Sequence, residues 1–151
     1  MPTTPLRVNS CHTVTWTRQS FGEQPLRDVR LKARQWLFER GCDDDFVDNA
    51  ELVLAELGAN AVEHGGHLTA VTLDIVPPTA EEPGVLRVSA HDTGPNLPIL
   101  GAARAGRADE PLRECGRGLG IVAALSRAWG AVRHQGRHKQ VWCDLSVPQH
   151  A

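Results

Sequence analysis

The stretch at positions 51–66, ELVLAELGANAVEHGG, constrains the fold most, because it combines a core-facing helix with an unusual polar edge. We predict a helix from Asp45 to His64, preceded by acidic residues that suit a helix N-terminus. Two glycines follow it as a stop signal. Apolar residues recur at helical spacing and form one stripe: Phe46, Ala50, Val53, Leu54, Leu57 and Ala61. The stripe predicts that this helix packs against the hydrophobic core.

Three polar residues form a row beside this stripe. Glu56, Asn60 and His64 stand four residues apart, so a helix aligns them along one edge. An acid, an amide and an imidazole in one row exceed what solvation of a helix requires. The alternative is a plain solvated edge, since most surface residues of these types simply face water. The row therefore gains weight only if other motifs accompany it.

Length and net charge indicate a single domain and do not point to a particular class of partner. Its 151 residues fit one domain with a single core. The net charge of -2 gives no reason to expect direct nucleic-acid or membrane binding. No apolar run approaches the length of a membrane span, and the N-terminus lacks a signal-peptide pattern. We therefore expect a cytoplasmic protein.

The cysteines and histidines do not indicate a metal site. The four cysteines lie far apart and form no C-x-x-C pair, which argues against a zinc ribbon or a thioredoxin-type site. In a reducing compartment we expect free thiols. His64 and His67 are close in sequence, but two glycines separate them, so they do not share one continuous helix. No structural metal is predicted from them.

The remaining periodicities predict an α+β domain. Apolar alternation marks the strands and 3.6-residue spacing marks the helices. The predicted elements are a strand at 11–18, a helix at 25–41, the central helix, strands at 67–76 and 84–90, a helix at 121–129 ended by Gly130, and strands at 131–134 and 140–147. We expect a two-layer sandwich, with helices on one face of a mixed, mostly antiparallel sheet. Residues 1–10 are predicted to be a flexible tail, and residues 11–148 a single domain.

Two glycine-containing motifs flank a long irregular stretch. Asp92-Thr93-Gly94 ends a predicted strand, and residues 95–115 then mix glycine, proline and charge without a period. Such a stretch inside a compact domain is often a lid or a binding loop, although a floppy surface loop is the alternative. The glycine-rich segment 116–120, GRGLG, then leads into a helix and can offer backbone N–H groups to a phosphate. It matches neither a Walker A loop nor a Rossmann fingerprint.

These three motifs together resemble those of a known superfamily. Glu56-x-x-x-Asn60-x-x-x-His64-Gly65 resembles the N box of the Bergerat-fold (GHKL) ATPases and kinases, such as DNA gyrase B, the heat-shock ninety-kilodalton chaperones, histidine kinases and MutL. Asp92-x-Gly94 resembles their first glycine box, and GRGLG resembles their second. The short chain and its ending VWCDL are similar to the small anti-sigma-factor kinases of the RsbW and SpoIIAB type, and more narrowly to stand-alone ATP-binding regulatory proteins of streptomycetes and related actinobacteria.

The resemblance implies an ATP site that contains Mg²⁺. Asn60 would hold the metal through its amide oxygen, a suitable hard ligand. Glu56 would act as the general base that orients a hydroxyl or a water toward the γ-phosphate. Asp92 would accept a hydrogen bond from the adenine amino group, and Gly94 would let the backbone pass close to the base. His64 would border the pocket.

The second glycine box would close the site over the phosphates. The resemblance places an ATP lid at about residues 95–117. Gly116, Gly118 and Gly120 would let this lid wrap the phosphates, with Leu119 between them in the motif. Arg117 would make a charge-assisted phosphate contact. Two positions depart from the family pattern: Asn96 stands where a second glycine is common, and Gln140 stands where relatives often have a threonine.

Three functions follow as hypotheses from the resemblance. The first is a Mg-ATP-dependent serine/threonine protein kinase that binds a sigma factor and phosphorylates an anti-anti-sigma partner of the STAS type. The second is a non-catalytic ATP-binding module whose lid switches a partner surface. The third, a kinase acting on histidine, ranks last because no helix pair with a phosphoacceptor histidine is present. Relatives often dimerise, so a homodimer is possible.

Overall fold

The structure is a computed structural model that describes residues 12–65, 67–94, 116–136 and 138–148 of the chain. Residues 95–115 of the predicted lid, with Asn96 and Cys115, and the predicted tail lie outside the described residues, whereas the last two lid residues, 116 and 117, belong to the helix that follows. The elements, in chain order, are β1 (Thr13–Thr17), a short 3₁₀ turn (Arg18–Ser20), α1 (Pro25–Glu39), α2 (Asp44–Gly65), β2 (Leu68–Val76), β3 (Gly84–Asp92), α3 (Gly116–Leu125), β4 (Ala128–Arg133) and β5 (Lys139–Val147).

The five strands form one sheet in the order β1-β2-β3-β5-β4. Every pairing between the described strands is antiparallel. The register aligns apolar residues of neighbouring strands into rows across one face, such as Leu73, Val88 and Cys143. These residues are buried, because α2 packs over β2, β3 and β5 on this face. The predicted α+β sandwich with helices on one face is confirmed.

The central helix α2 begins at a side-chain cap and carries the predicted apolar stripe into the core. The Asp43 carboxylate accepts a hydrogen bond of 2.8 Å from the Phe46 N–H, which satisfies an amide that the helix itself leaves unpaired. The helix then runs from Asp44 to Gly65, one residue longer at each end than predicted. All six residues of the stripe are buried. Helix α1 packs on α2, and Arg34 of α1 forms ion pairs with Asp48 and Glu51 of α2.

Helix α1 ends where the sequence predicted, at a glycine in the left-handed region. Gly41 has a φ of +83°, which favours glycine because a side chain there would be strained. The Gly41 N–H donates to the Phe38 carbonyl, and the Cys42 N–H donates to the Leu37 carbonyl. This pattern is a Schellman-type stop, which satisfies carbonyls at the end of the helix.

The third helix differs from its prediction at both ends. The glycines of 116–120, predicted as a turn before the helix, lie inside α3, and α3 ends at Leu125 instead of Trp129. Trp129 and Gly130 belong to β4, where Trp129 is buried opposite Cys143. Gly130 does not stop a helix here. It lies under the Trp142 side chain, and a Cβ at this position would come within 2.9 Å of the indole.

The strand predictions hold to within three residues at each end. The strand β3 continues through His91 to Asp92, so the first glycine motif starts on the last residue of a strand. Within the described part of the chain, no helix is long and apolar enough to cross a membrane.

Candidate functional site

The polar edge of α2 forms one wall of the candidate site. Asn60 is only 8% exposed, and Glu56, one turn earlier, is partly exposed. Successive members of the row are about 6 Å apart along the axis, as four residues of helix require. His64 lies in the last turn of α2, and its side chain is outside the described set. The helix thus presents an acid and a nearly buried amide on consecutive turns.

Asp92 provides a buried carboxylate at the end of β3. Its side chain has no solvent exposure. One oxygen, Oδ1, accepts a hydrogen bond of 2.7 Å from the Gly94 N–H. The same oxygen lies 3.2 Å from the ammonium nitrogen of Lys139. The other oxygen, Oδ2, is buried and receives no hydrogen bond from the described residues.

Lys139 is a site residue that the motif analysis did not identify. It is the first residue of β5, it pairs with Asp92 in the sheet register, and it is only 1% exposed. One sequence signal could have found it. Lys139 occupies the same alternation as Val141 and Cys143, which face the core, so a strand beginning at residue 139 predicts an inward-pointing lysine. An inward-pointing lysine needs an anionic partner.

The topology brings these elements to one end of the sheet. Leu68, three residues after the end of α2, is the register partner of Asp92. Only a few residues of chain therefore connect the last turns of α2 to the position opposite the Asp92 carboxylate, and this limits the distance between them. Helix α3 packs against α2 on the same side of the sheet. Asn60, Asp92 and the glycine-rich helix start thus belong to neighbouring elements.

The glycine-rich motif supplies the N-terminal turns of α3. Gly116, Arg117, Gly118, Leu119 and Gly120 all lie in the helix, and the side chains of residues 116–119 are outside the described set. Backbone N–H groups at a helix N-terminus favour anions through their partial positive charge. The contact between Arg117 and a phosphate stays a prediction.

Gln140 lies on the opposite face of the sheet from Asp92. Its amide donates to the Ser89 hydroxyl at 3.0 Å, and its oxygen contacts His134 at 3.0 Å. Adjacent residues of a strand point to opposite faces, so Lys139 faces the core and Gln140 faces away from it. Gln140 is therefore separated from the Asp92 carboxylate by the sheet itself.

That opposite face carries three histidines close together. His91 shares a hydrogen bond of 2.9 Å with His138, and the rings of His134 and His138 are 5.0 Å apart. Burial, together with the neighbouring imidazoles of His138 and then His134, lowers the pKa of His91 to about 4, although Asp92 opposes this shift. The His91 ring is therefore expected to be neutral near pH 7.

A cavity of about 640 Å³ lies beside the N-terminus of α1, and its lining reaches Val62, His67 and Leu68 around the end of α2. Its walls include Phe21, Leu26, Val62, Arg18 and Arg27. Glu56, Asn60 and Asp92 do not line it. Because none of these three side chains lines the cavity, its shape alone does not indicate the nucleotide site.

The chemistry of the site residues fits a nucleotide with a bound cation. A buried carboxylate oxygen without a donor matches an amino group, and the exocyclic amino group of adenine is such a donor. The amide of Asn60 offers a hard oxygen of the kind that Mg²⁺ prefers. The part of the chain described contains no cluster of three or more histidine, cysteine or acidic residues arranged to hold a metal alone. Any cation here would therefore need further ligands from phosphate or water.

An antiparallel sheet covered by helices on one face, with three short polar motifs at one end, is the architecture of the Bergerat-fold ATP-binding domains. Residues 23–144 match the family model described as "Histidine kinase-like ATPase domain". Because this match covers most of the chain, the protein belongs to the histidine kinase-like ATPase family. The resemblance to the Bergerat-fold superfamily is thereby confirmed, and the family is one of ATP-binding domains.

Solved structures agree with this fold. The chain is similar to a chain in "The crystal structure of SiaB-SiaC complex from Pseudomonas aeruginosa", with a TM-score of 0.51 and 14% identity over 89% of each chain. At this identity the likeness concerns the fold alone. No curated protein matches the sequence at a significant level.

Proposed function

We propose that the protein is a Mg-ATP-dependent serine/threonine protein kinase of the anti-sigma-factor type. The observation that carries the proposal is the buried Asp92 carboxylate, whose Oδ2 has no hydrogen-bond donor among the described residues. It lies at the end of β3, next to the strand that follows the Glu56–Asn60 helix. A ligand with an amino group would satisfy this acceptor, and unmet buried acceptors cost about 1–3 kcal/mol.

The proposed roles follow from the side chains. Asp92 accepts a hydrogen bond from the adenine amino group. Asn60 would hold Mg²⁺, and this metal would offset the charge of the phosphates. The Glu56 carboxylate accepts the proton of a serine or threonine hydroxyl, whose oxygen then attacks the γ-phosphorus as the bond to the β-phosphate oxygen breaks. ADP and the phosphorylated partner are the products.

The proposed partners are proteins. The similar structure is a complex of two proteins, SiaB and SiaC. By analogy, we propose that this chain binds two kinds of protein partner. One is a substrate of the anti-anti-sigma (STAS) type, which it phosphorylates, and the other is a sigma factor. We also propose that it acts in the cytoplasm, and a homodimer is compatible with this function.

The first test is calorimetric titration of Mg-ATP into wild type, Asn60→Ala and Asn49→Ala. Asn49 is an exposed residue of the same helix, so its variant is a matched control. We expect wild type and Asn49→Ala to bind alike, and Asn60→Ala to bind at least about tenfold more weakly, since loss of even an outer-shell partner of a metal ligand costs about 10–100-fold in metal affinity. Equal binding by all three would contradict the site.

The second test separates catalysis from binding. Transfer of the γ-phosphate to a cognate antagonist is measured for wild type, Glu56→Gln and Glu39→Gln, where Glu39 is exposed in α1. We expect Glu56→Gln to bind Mg-ATP but to lose about 10²–10⁴-fold in transfer rate, the usual contribution of a general base. Binding without transfer by wild type would instead support a regulatory module that uses ATP to switch a partner surface.

A further inference from the structure

The two oxygens of the Asp92 carboxylate are in different environments. Oδ1 has two donors, the Gly94 N–H at 2.7 Å and the Lys139 ammonium at 3.2 Å. Oδ2 has none among the described residues, although it is equally buried. Both cation and carboxylate are almost fully shielded from water, with 1% and 0% exposure. Water therefore does not compete with these contacts for the orientation of the carboxylate.

The Asp92 carboxylate is held in one orientation by the two donors on Oδ1. The attraction to the Lys139 ammonium and the hydrogen bond from Gly94 both act on Oδ1. A half-turn of the carboxylate exchanges two identical oxygens, so it leaves the same contacts in place. Any other rotation would break two charge-assisted or short contacts at once. The pair thus fixes which oxygen is occupied and leaves Oδ2 as an acceptor only, because an ionised carboxylate has no proton to donate.

We propose that Lys139 is a positioning residue that determines base specificity at this site, a proposal that rests on the ATP-binding function proposed above. By holding Oδ1, Lys139 presents Oδ2 as a pure acceptor for the exocyclic amino group at C6 of adenine. The same acceptor repels a base that carries a carbonyl oxygen at C6, as in hypoxanthine or guanine. Lys139 acts through Asp92 and needs no contact with the nucleotide.

The removal of Lys139 should weaken selectivity more than it weakens phosphate binding. Without the Lys139 ammonium, the buried carboxylate loses one of the two donors that fix its orientation, so it can turn and no longer presents Oδ2 to the base in a fixed direction. ATP then loses its advantage over ITP, which differs from it at C6 and N1 only. The ratio of the two affinities therefore reports the role of Lys139, and a general loss of folding does not change this ratio in a specific direction.

The experiment measures the dissociation constants of Mg-ATP and Mg-ITP by calorimetry for wild type, Lys139→Met and Gln140→Met. Gln140 is the adjacent residue on the opposite face of β5, so its variant controls for changes in the strand. We expect wild type and Gln140→Met to prefer ATP by at least about tenfold, since a site built around a hydrogen bond rejects the analogue that lacks it. In Lys139→Met we expect this preference to fall to within about threefold.

A second variant keeps the test valid if Lys139→Met does not fold. Asp92→Asn combined with Lys139→Met buries a neutral pair of similar size, and an asparagine amide can donate or accept. We expect it to fold and to bind both nucleotides with similar affinity. An ATP preference that persists in folded Lys139→Met would overturn the role of Lys139 but leave the proposed function standing. A preference that persists in the double variant would overturn the base contact of Asp92 as well, and with it the role of Lys139. A folded wild type that binds neither nucleotide would overturn both.

Discussion

At the scale of single residues, the end of the β3–β5 pair separates two kinds of titratable group by the thickness of the sheet. Asp92 and Lys139 form an ion pair on the helix-covered face. His91 and His138, their immediate neighbours in sequence, form a hydrogen bond on the other face. The sheet register places Asp92 opposite Lys139 and His91 opposite Gln140, and His138 immediately precedes β5. On the helix-covered face the ion pair is almost completely buried, whereas on the other face partial burial lowers the pKa of His91.

The His91 ring is predicted to make the stability of the fold depend on pH. Its folded-state pKa is lowered to about 4, below the usual value of 6.5, mainly by burial. The unfolded chain therefore binds the proton first, and the free energy of unfolding decreases as the pH falls from about 6.5 toward 4. Because the ring is only partly buried, we expect a loss of about 1 kcal/mol between pH 7 and pH 5, less than the full shift implies.

Urea unfolding of wild type, His91→Gln and His67→Gln at several pH values checks this effect. His67 is exposed, so its variant controls for the loss of an ordinary histidine. We expect the His91→Gln curve to be flatter below pH 6.5 than the other two. A wild-type slope that is unchanged by His91→Gln would show that other groups cause the pH dependence.

Two described thiols are predicted to be unreactive in the folded protein. Burial raises the pKa of Cys143 to about 12 and that of Cys42 to about 11, with Asp43 adding to the effect at Cys42. Since the thiolate is the reacting form, both should resist alkylation near pH 7.5. Peptide mapping by mass spectrometry after brief iodoacetamide treatment should find them unmodified in native protein and modified in guanidinium. Rapid labelling of Cys143 in native protein would contradict its burial.

At the scale of elements, periodicity and caps predicted most of the fold, and long-range contacts explain what they missed. The α2 stripe and the Gly41 stop depend on local chemistry, and both are present in the structure. Gly130 was wrongly predicted to end a helix. A glycine is needed there because the Trp142 side chain of a neighbouring strand, twelve residues away, covers the position. The Lys139–Asp92 pair was missed for the same reason, since 47 residues separate its members and only the sheet register joins them.

In the candidate site too, the features set by local sequence could be predicted, and those set by long-range contacts could not. The positions of Glu56 and Asn60 on one helix edge could be predicted, because helical spacing is local. Their distance from Asp92 could not, because it depends on how α2 leads into β2 and on the pairing of β2 with β3. The role of Gln140 also required the structure, since a one-residue shift in the start of β5 exchanges the faces of its side chains.

The turn into β3 depends on a glycine for a steric reason. A Cβ at Gly84 would come within 2.4 Å of the Val76 carbonyl oxygen and 2.7 Å of the Pro78 nitrogen. Both are backbone atoms, so they cannot move aside as a flexible side chain would. We therefore expect Gly84→Ala to destabilise the protein by about 1–3 kcal/mol, as overpacking usually does.

Urea titration provides the measurement for Gly84→Ala. Glu81→Ala, in the exposed part of the same turn, is the control and should change the free energy of unfolding by less than about 0.5 kcal/mol. A Gly84→Ala variant as stable as the control would mean that the two strands accommodate the extra methyl group.

At the scale of the whole molecule, one helix packs against most of the other elements. Helix α2 packs against β2, β3 and β5, and it also packs against α1 and α3. Loss of any of these contacts exposes part of the same apolar core. We propose that residues 11–148 form one cooperative domain, and that the proposed ATP site shares its stability, because Asn60 and Asp92 belong to elements of this core.

Differential scanning calorimetry tests both statements together. We expect a single transition whose calorimetric and van't Hoff enthalpies agree, as for a two-state domain. Mg-ATP at about 100 times its dissociation constant should add about 2.7 kcal/mol and raise the midpoint by roughly 5–10 °C. At the same Mg-ATP concentration, Asn49→Ala should show the same increase and Asn60→Ala at most about half of it, because a tenfold weaker ligand adds about 1.4 kcal/mol. A transition that splits, with only one part responding to Mg-ATP, would show that the nucleotide site unfolds separately from the rest of the sheet.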